Sequence, residues 1–332
     1  MSRIDPYGPF RRSLLPPERV RELSRLRPAR VIVDTLLCWA VIIGAWTAVA
    51  LSPSWWMVLL ALPVIGTRYY ALIIIGHDGL HRRLFRDRKM NDLWNDAFCL
   101  APIGAVTRIN NRNHLRHHQY LAPEADPDRH KHACFNKSSI AELVGFLLGV
   151  TAVLRSALNV FRPGRSVVGR PADDEDHGAR HGAREVVIIG TVQALMIGGL
   201  TWSIGWWAYP VLWLLPVYAF TFLGDNFRAF AEHSHPEPDA EADEHRLVTY
   251  LSNPVERWFL APMNMNFHAV HHLWPSIPYY NLPVADREIR AHPAAAGLEW
   301  RRSYLGYLIR YWLALPLHDC RVRPAEAGRG GH

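Results

Sequence analysis

Three stretches of this chain carry histidines at spacings that put several imidazoles on one face of a helix. His77-Asp78-Gly79-Leu80-His81 reads HxxxH, and His114-Leu115-Arg116-His117-His118 reads HxxHH. Asn266-Phe267-His268-Ala269-Val270-His271-His272 ends in the same HxxHH. Residues three and four apart are neighbours on a helix surface, so each stretch aims two or three rings at one point. With 18 His in 332 residues, chance supplies HxxHH roughly 0.05 times per chain. Here it occurs twice. Imidazole nitrogen is the commonest biological ligand of iron, zinc and copper, so the chemistry implied is metal binding.

With His233, these segments offer nine imidazoles: His77, His81, His114, His117, His118, His233, His268, His271 and His272. That is too many for one metal. A mononuclear zinc hydrolase needs three protein ligands and usually a Glu base, as in HExxH, which is absent. Membrane cytochromes place two axial His deep in the bilayer on facing helices, whereas these His cap the ends of apolar runs. A dinuclear site fits the count. Carboxylates are scarce in the clusters; Asp78 and Glu232 are the two inside them, and both read as groups that orient imidazoles through the second ring nitrogen. A tandem HGAR at His177–Arg180 and His181–Arg184 also spells HxxxH, but in a Gly- and charge-rich loop without apolar flanks it is not expected to bind metal.

The elements that position these residues read as membrane helices. Net charge is +7, with pI near 9.4 and mean hydropathy −0.06, an average that mixes charged arms with long apolar runs. Such charge suits an anionic membrane surface as well as nucleic acid, and thirteen Trp favour membrane interfaces. Four scattered Cys (Cys38, Cys99, Cys134, Cys320) form no CxxC pair, which argues against a disulfide framework or thiolate site. Residues 1–30 form a basic arm punctuated by proline, and no secretory signal precedes the first apolar run. Residues 31–51 and 54–76 are long enough to cross a bilayer and are linked by Ser52-Pro53, a tight hairpin. A second hairpin is expected from 186–204 and 208–224 around Gly205-Trp206-Trp207. Residues 97–106 are too short to span, residues 139–161 and 303–317 suit interfacial helices, and 319–332 form a flexible tail. Arg82, Arg83, Arg86, Arg88 and Lys89 flank the open end of the first hairpin, so the positive-inside rule puts that end in the cytoplasm. Every His cluster then follows an even number of crossings and lies on that same side. Arg68, within the second span, is expected to snorkel to phosphates or pair with Asp34.

HxxxH, HxxHH and HxxHH at the cytoplasmic ends of two hairpins resemble the membrane fatty acid desaturase and hydroxylase superfamily. The segments His77–His81, His114–Pro127, Arg228–His233 and Asn266–Pro278 are similar to its bacterial acyl-lipid desaturase branch, and the likeness spans roughly residues 31–285. The resemblance implies an all-α integral membrane fold, four transmembrane helices in two hairpins with a helical cytosolic cap over 31–318, in the bacterial cytoplasmic membrane with both termini inside. It implies two irons bound by the nine histidines, with oxygen as co-substrate, and no nucleic-acid partner. In the animal branch an Asn four residues before the extra His reaches iron through water; here that position is Ala229, and Asn226 lies one turn earlier. No haem-binding HPGG segment or nucleotide-binding glycine fingerprint is seen, so electrons are expected from a ferredoxin or rubredoxin with its reductase. The expected reaction is oxygen-dependent desaturation of an acyl chain. Hydroxylation or ketolation of a lipid or carotenoid, and decarboxylation to a terminal alkene, are alternatives on the same scaffold. Phe267, Trp274, Tyr279 and Tyr280 are candidates to wall the substrate tunnel.

Overall fold

The structure, a computed structural model, describes residues 8–119, 128, 139–150, 182–234 and 247–314. Two short helices, α1 (Gly8–Leu14) and α2 (Pro17–Leu23), precede α3 (Pro28–Leu51) and α4 (Trp55–Leu80). Proline opens α2 and α3 at the first helical position, where its missing N–H costs nothing and its fixed φ is already helical. α3 and α4 pack together along their length, joined by three residues. At 26 residues and about 1.5 Å rise each, α4 outruns the roughly 30 Å hydrocarbon core. Its last turns, which carry the first histidine box, therefore project beyond the apolar layer.

α5 (Arg88–Asn95) follows, capped by Asp87, whose Oδ1 accepts from Met90 N–H at 2.8 Å. The 97–106 run then folds as a π-turn over Asp96–Leu100 and a 3-10 turn over Ala101–Ile103. Gly104 reverses the chain with φ +73°, and α6 (Thr107–Gln119) starts with Thr107 N–H donating to Asp96 at 2.7 Å. α7 (Ile140–Leu147) is the described part of the expected 139–161 helix. α8 (Ala183–Ser203) begins earlier than the sequence suggests: residues 183–185, expected in the loop, form its first turn. Glu185 accepts from Gly182 N–H at 2.8 Å and pairs with Arg108 of α6 at 2.6 Å, which gives the helix a start. The tandem His177 and His181, the acidic stretch 237–244 and the tail lie outside the described residues.

From residue 208 the chain is helical to α9 (Leu223–His233), interrupted by π-turns at Pro210–Leu214 and Val217–Phe222. The cap is completed by β1 (Val248–Tyr250), α10 (Pro254–Leu260), α11 (His268–Leu273), α12 (Leu282–Arg290), β2 (Glu299–Arg301) and α13 (Tyr304–Ala314). β1 and β2 pair in parallel with Thr249 opposite Trp300, a small sheet that an all-α reading did not foresee. Among the described residues, three helices, α3, α4 and α8, are long and apolar enough to cross a membrane.

One apolar core ties these helices to the 208–222 segment through Ile42, Ile65, Tyr69, Leu200, Leu212 and Trp213. Three of the Trp serve here rather than at an interface. Trp39 stacks on Trp213 with centroids 6.0 Å apart, and Trp46 meets Trp213 edge-on at 5.9 Å. Their indole N–H groups donate to the carbonyls of Phe98, Leu212 and Pro102 at 3.0–3.1 Å, carbonyls of the segments where π- and 3-10 turns break the regular ladder. Trp55, Trp56, Trp202 and Trp206 are exposed at the two turns opposite the histidines. The basic arm is also tied down. Leu14, Leu15 and Leu23 are buried against Phe267, Val270 and Trp274, and Arg19 pairs with Glu288 at 2.5 Å.

Arg68 does not pair with Asp34, which instead accepts from Arg30 at 2.7 Å and Tyr279 OH at 2.6 Å. Its guanidinium lies 3.5 Å from the ring centre of Trp258 on α10, a cation–π contact that lets a partly desolvated charge rest on an aromatic face.

α4 meets the 208–222 segment closely at Gly66, where a Cβ would come 2.5 Å from Pro216 O and 2.6 Å from Phe220 Cβ. Backbone cannot yield there, so Gly66→Leu should destabilise the chain by about 1–3 kcal/mol through overpacking. Gly44→Leu, where nothing lies within 4 Å, should not. A thermal unfolding scan in detergent comparing the two checks this; equal midpoints would refute the close crossing.

Candidate metal centre

Most of these rings sit in the last turn or at the cap of a helix, while His114 lies a turn earlier in α6 and His268 opens α11. His77 is in the last turn of α4 and His81 caps it; His117 and His118 close α6, His233 ends α9, and His271 and His272 close α11. Helix C-termini carry roughly half a negative charge each, so four converging ends favour cations between them.

The imidazoles divide into two neighbouring groups. In the first, ligand atoms of His77, His81, His114, His118 and His271 all lie within 4.8 Å of one another; His117, His233 and His272 form the second by the same measure. His268 joins the second through its Nε2, 2.9 Å from His233 Nε2. The groups touch where the His118 and His272 rings stack with centroids 4.2 Å apart. All nine sequence-selected histidines are thus brought together.

Their nitrogens suit a metal better than one another. His114 Nε2 lies 2.7 Å from His81 Nε2 and 3.1 Å from His118 Nε2, which is itself 3.1 Å from His271 Nε2. A neutral ring nitrogen has one hydrogen or one lone pair, so it cannot satisfy two such neighbours at once. Both nitrogens of buried His272 lack a hydrogen-bond partner. Lone pairs converging on a cation resolve the first conflict and give one His272 nitrogen a partner. Burial pushes His81 down to about 3, with Arg83 and His117 adding to the effect. Burial, then neighbouring imidazoles, Arg228 or both, holds His118, His268, His271 and His272 well below the usual range. Neutral rings are the form that ligates.

The carboxylates have distinct surroundings. Glu232 Oε2 lies 3.2 Å from His268 Nδ1, the position of an imidazole-orienting group. The same oxygen accepts from Arg228 Nη1 at 2.7 Å, and Oε1 accepts from Tyr304 OH at 2.7 Å. Burial pushes the Glu232 carboxyl up to about 8, against the pull of Arg228 and the Tyr304 hydroxyl. Asp78 accepts from the backbone N–H of Tyr279 at 2.7 Å instead of from an imidazole, so it ties the first box to the loop after the third. Neighbouring amides fix the first box from behind. Asn91 and Asn95 donate to the carbonyls of Gly79 and Gly76 at 2.9 and 3.1 Å. A Cβ on Gly79 would meet Asn95 Cγ at 2.4 Å.

A cavity of about 320 Å³ opens beside the rings, reaching His77, His114 and His272. Its apolar wall is Ile73, Leu100, Ile103 and Ala105, and Arg228 and Asp225 lie at its polar side. The expected aromatic wall is absent from it. Phe267 and Trp274 pack against the N-terminal helices, while Tyr279 and Tyr280 bond to Asp34 and Arg27. The sequence reading missed Arg228 and Tyr304. Arg228 had a signal, an Arg four residues before a Glu on one helix; Tyr304 had none. Ala229, where the animal branch has Asn, lines the cavity, and Asn226 is buried one turn away.

Residues 53–304 match the model of the Fatty acid desaturase family, and the chain belongs to that family of oxidoreductases. It is 25% identical over 289 residues to an sn-1 oleoyl-lipid 12-desaturase of Picosynechococcus sp., covering 81% of this chain and 79% of that one. A beta-carotene ketolase of Paracoccus sp. is 24% identical over 269 residues, 78% of this chain and 94% of its own. An sn-1 acyl-lipid omega-3 desaturase (ferredoxin) of Nostoc sp. is 25% identical over 246 residues, 68% of this chain and 65% of its own.

If the nine rings hold metal, His118→Ala and His272→Ala should each lower bound iron from two per chain to one or fewer. His177→Ala, in the tandem repeat, should leave it unchanged. Elemental analysis of purified protein checks this; full iron in the His118 variant would exclude that ring as a ligand.

Proposed function

We propose that the chain is an oxygen-dependent diiron desaturase that introduces a double bond into a fatty acyl chain. The observation that carries this reading is the apolar cavity ending on the two imidazole groups. His77, His81, His114, His118 and His271 are assigned to one iron, and His117, His233, His268 and His272 to the other. Bound there, the iron pair supplies the reduction of dioxygen coupled to hydrogen removal from unactivated C–H bonds. The balance is –CH2–CH2– plus O2, two electrons and two protons, giving –CH=CH– and two waters.

The chain's own residues do the rest. Ile73, Leu100, Ile103 and Ala105 hold a hydrocarbon segment and keep water from the rings. Glu232 Oε2, 3.2 Å from His268 Nδ1, stands where it would take that ring's Nδ1–H and leave the Nε2 lone pair for iron. Asp78 holds the first and third boxes in register through Tyr279. Desaturation and hydroxylation share the first hydrogen abstraction, and how tightly the chain is held decides whether a second hydrogen is lost. The likeness to a ketolase across 94% of its length keeps oxygen insertion as the second reading. Reconstituted enzyme with reductase, ferredoxin, oxygen and a saturated acyl lipid should give a product two mass units lighter. A gain of sixteen would replace desaturation by hydroxylation, and loss of carbon dioxide would make the enzyme a decarboxylase.

We assign the fourth crossing to residues 208–224, the domain to 31–318 between the arm 1–30 and the tail 319–332, and the histidines to the cytoplasmic face of the cell membrane. The basic run 82–89 on the histidine side and the exposed Trp at the opposite turns support this orientation. Cysteine labels at Ser52 and Gly205 should react only from outside; cytoplasmic labelling of either would break it.

A further inference from the structure

The first histidine box has two sides. His77 lines the substrate cavity. His81, one turn on, with its ring 5.4 Å from that of His77, lines a different depression of about 370 Å³ on the protein surface. That basin is rimmed by Arg82, Arg83, Arg86 and Arg88, with the exposed Leu115 beside them. Two of the arginines are fixed in the fold: Arg82 faces Asp92 at 3.5 Å, and Arg83 donates to Ser24 O at 2.6 Å. Arg86, Arg88 and the adjoining Lys89 are exposed. Between residues 82 and 92 five basic residues stand against two acidic ones, of which Asp87 caps α5 and Asp92 faces Arg82.

We propose that this arginine-rimmed basin is the docking site of an acidic one-electron carrier protein, and that electrons enter the metal centre through His81. This rests on the oxidative function proposed above. That chemistry consumes two electrons per double bond, delivered singly, so the carrier must bind twice per turnover and bring its redox centre close to the irons. His81 meets that need: it is partly exposed at the basin and its Nε2 lies 2.7 Å from His114 Nε2 in the five-histidine group. Positive charge around a recessed redox entry steers an acidic partner and speeds its encounter. An apolar residue within a charged rim is how small, transient electron-transfer interfaces are built. The substrate cavity reaches the same box through His77, so hydrocarbon and carrier use separate faces.

The test uses the full chain in lipid nanodiscs and an acidic [2Fe–2S] ferredoxin as the probe. The double variant Arg86→Glu/Arg88→Glu should weaken ferredoxin binding about tenfold or more, raise the KM for ferredoxin in parallel and flatten its salt dependence. kcat at saturating ferredoxin and turnover driven by dithionite should stay at wild-type values, and Arg310→Glu, an exposed charge on α13, should change none of these. Unchanged affinity and salt dependence in the double variant would overturn the proposal; if activity then fell only in anionic-lipid discs, the basin would be a headgroup site. Loss of dithionite-driven turnover would also overturn it, because the arginines would then be acting on the metal centre. Wild-type protein that binds ferredoxin through these arginines yet oxidises no acyl chain would support the docking site and reject the substrate reading.

Discussion

Bringing nine imidazoles to one largely desolvated point is the constraint on which the rest of this structure depends. Each ring must leave water without a proton, aim one nitrogen at its neighbours and be held there by something other than those neighbours. Desolvation contributes to the first: it drives His81 to about 3 and holds His118, His268, His271 and His272 well below the usual range. The second is met by ending four helices at the same place. The third requires scaffolding on every side, and most of the cap supplies it. α5 and the π-turn press Asn91 and Asn95 against the first box. α1 and α2 pack behind the third box, where Arg11 donates to the Leu273 carbonyl at 3.2 Å. Asp78 joins the two boxes across 201 residues of chain.

The buried Arg228 has the same logic. A guanidinium enclosed between helices is costly unless its donors are met, and here Tyr70, Glu232 and Asp225 accept at 2.8, 2.7 and 2.9 Å. The residues in this network come from α4, α9 and, through Tyr304, α13. It therefore fixes the carboxylate that faces His268 by tying it to a membrane helix and to the end of the cap. Removing Arg228 alone would leave Glu232 without its charge partner beside the metal site. Removing both is a smaller perturbation, which is why such pairs are best studied together.

The convergence of the histidines was legible in the sequence because helical spacing alone brings His114, His117 and His118, or His268, His271 and His272, to one face. The long apolar helices were legible for the same reason of length and hydropathy. What was hidden was tertiary. The run 97–106 was visible as too short to cross, yet nothing local told that it would turn as π and 3-10 and wall the cavity. The aromatic residues beside the third box looked like tunnel walls, but Tyr279 and Tyr280 are held by Asp34 and Arg27, partners some 250 residues away. Arg68 and Asp34 looked like a pair because both are charges in apolar spans; Arg30, four residues before Asp34, offered a nearer partner, and Trp258 lay beyond any local pattern.

An HxxxH box presents two rings one helical turn apart, and that spacing has a consequence beyond ligand count. The turn that brings both rings into one histidine group also separates the ring edges, so His77 faces the apolar cavity while His81 faces the arginine-rimmed surface. In the proposed reaction the cavity must stay dry, since water admitted beside the rings would compete with a hydrocarbon. The basin is charged and open, as the proposed docking of a soluble carrier requires. Leu80, between the two histidines, lines both spaces; its side chain stands at the divide between them. A single turn of α4 can therefore serve two media because the helix runs past the apolar layer and ends where they meet.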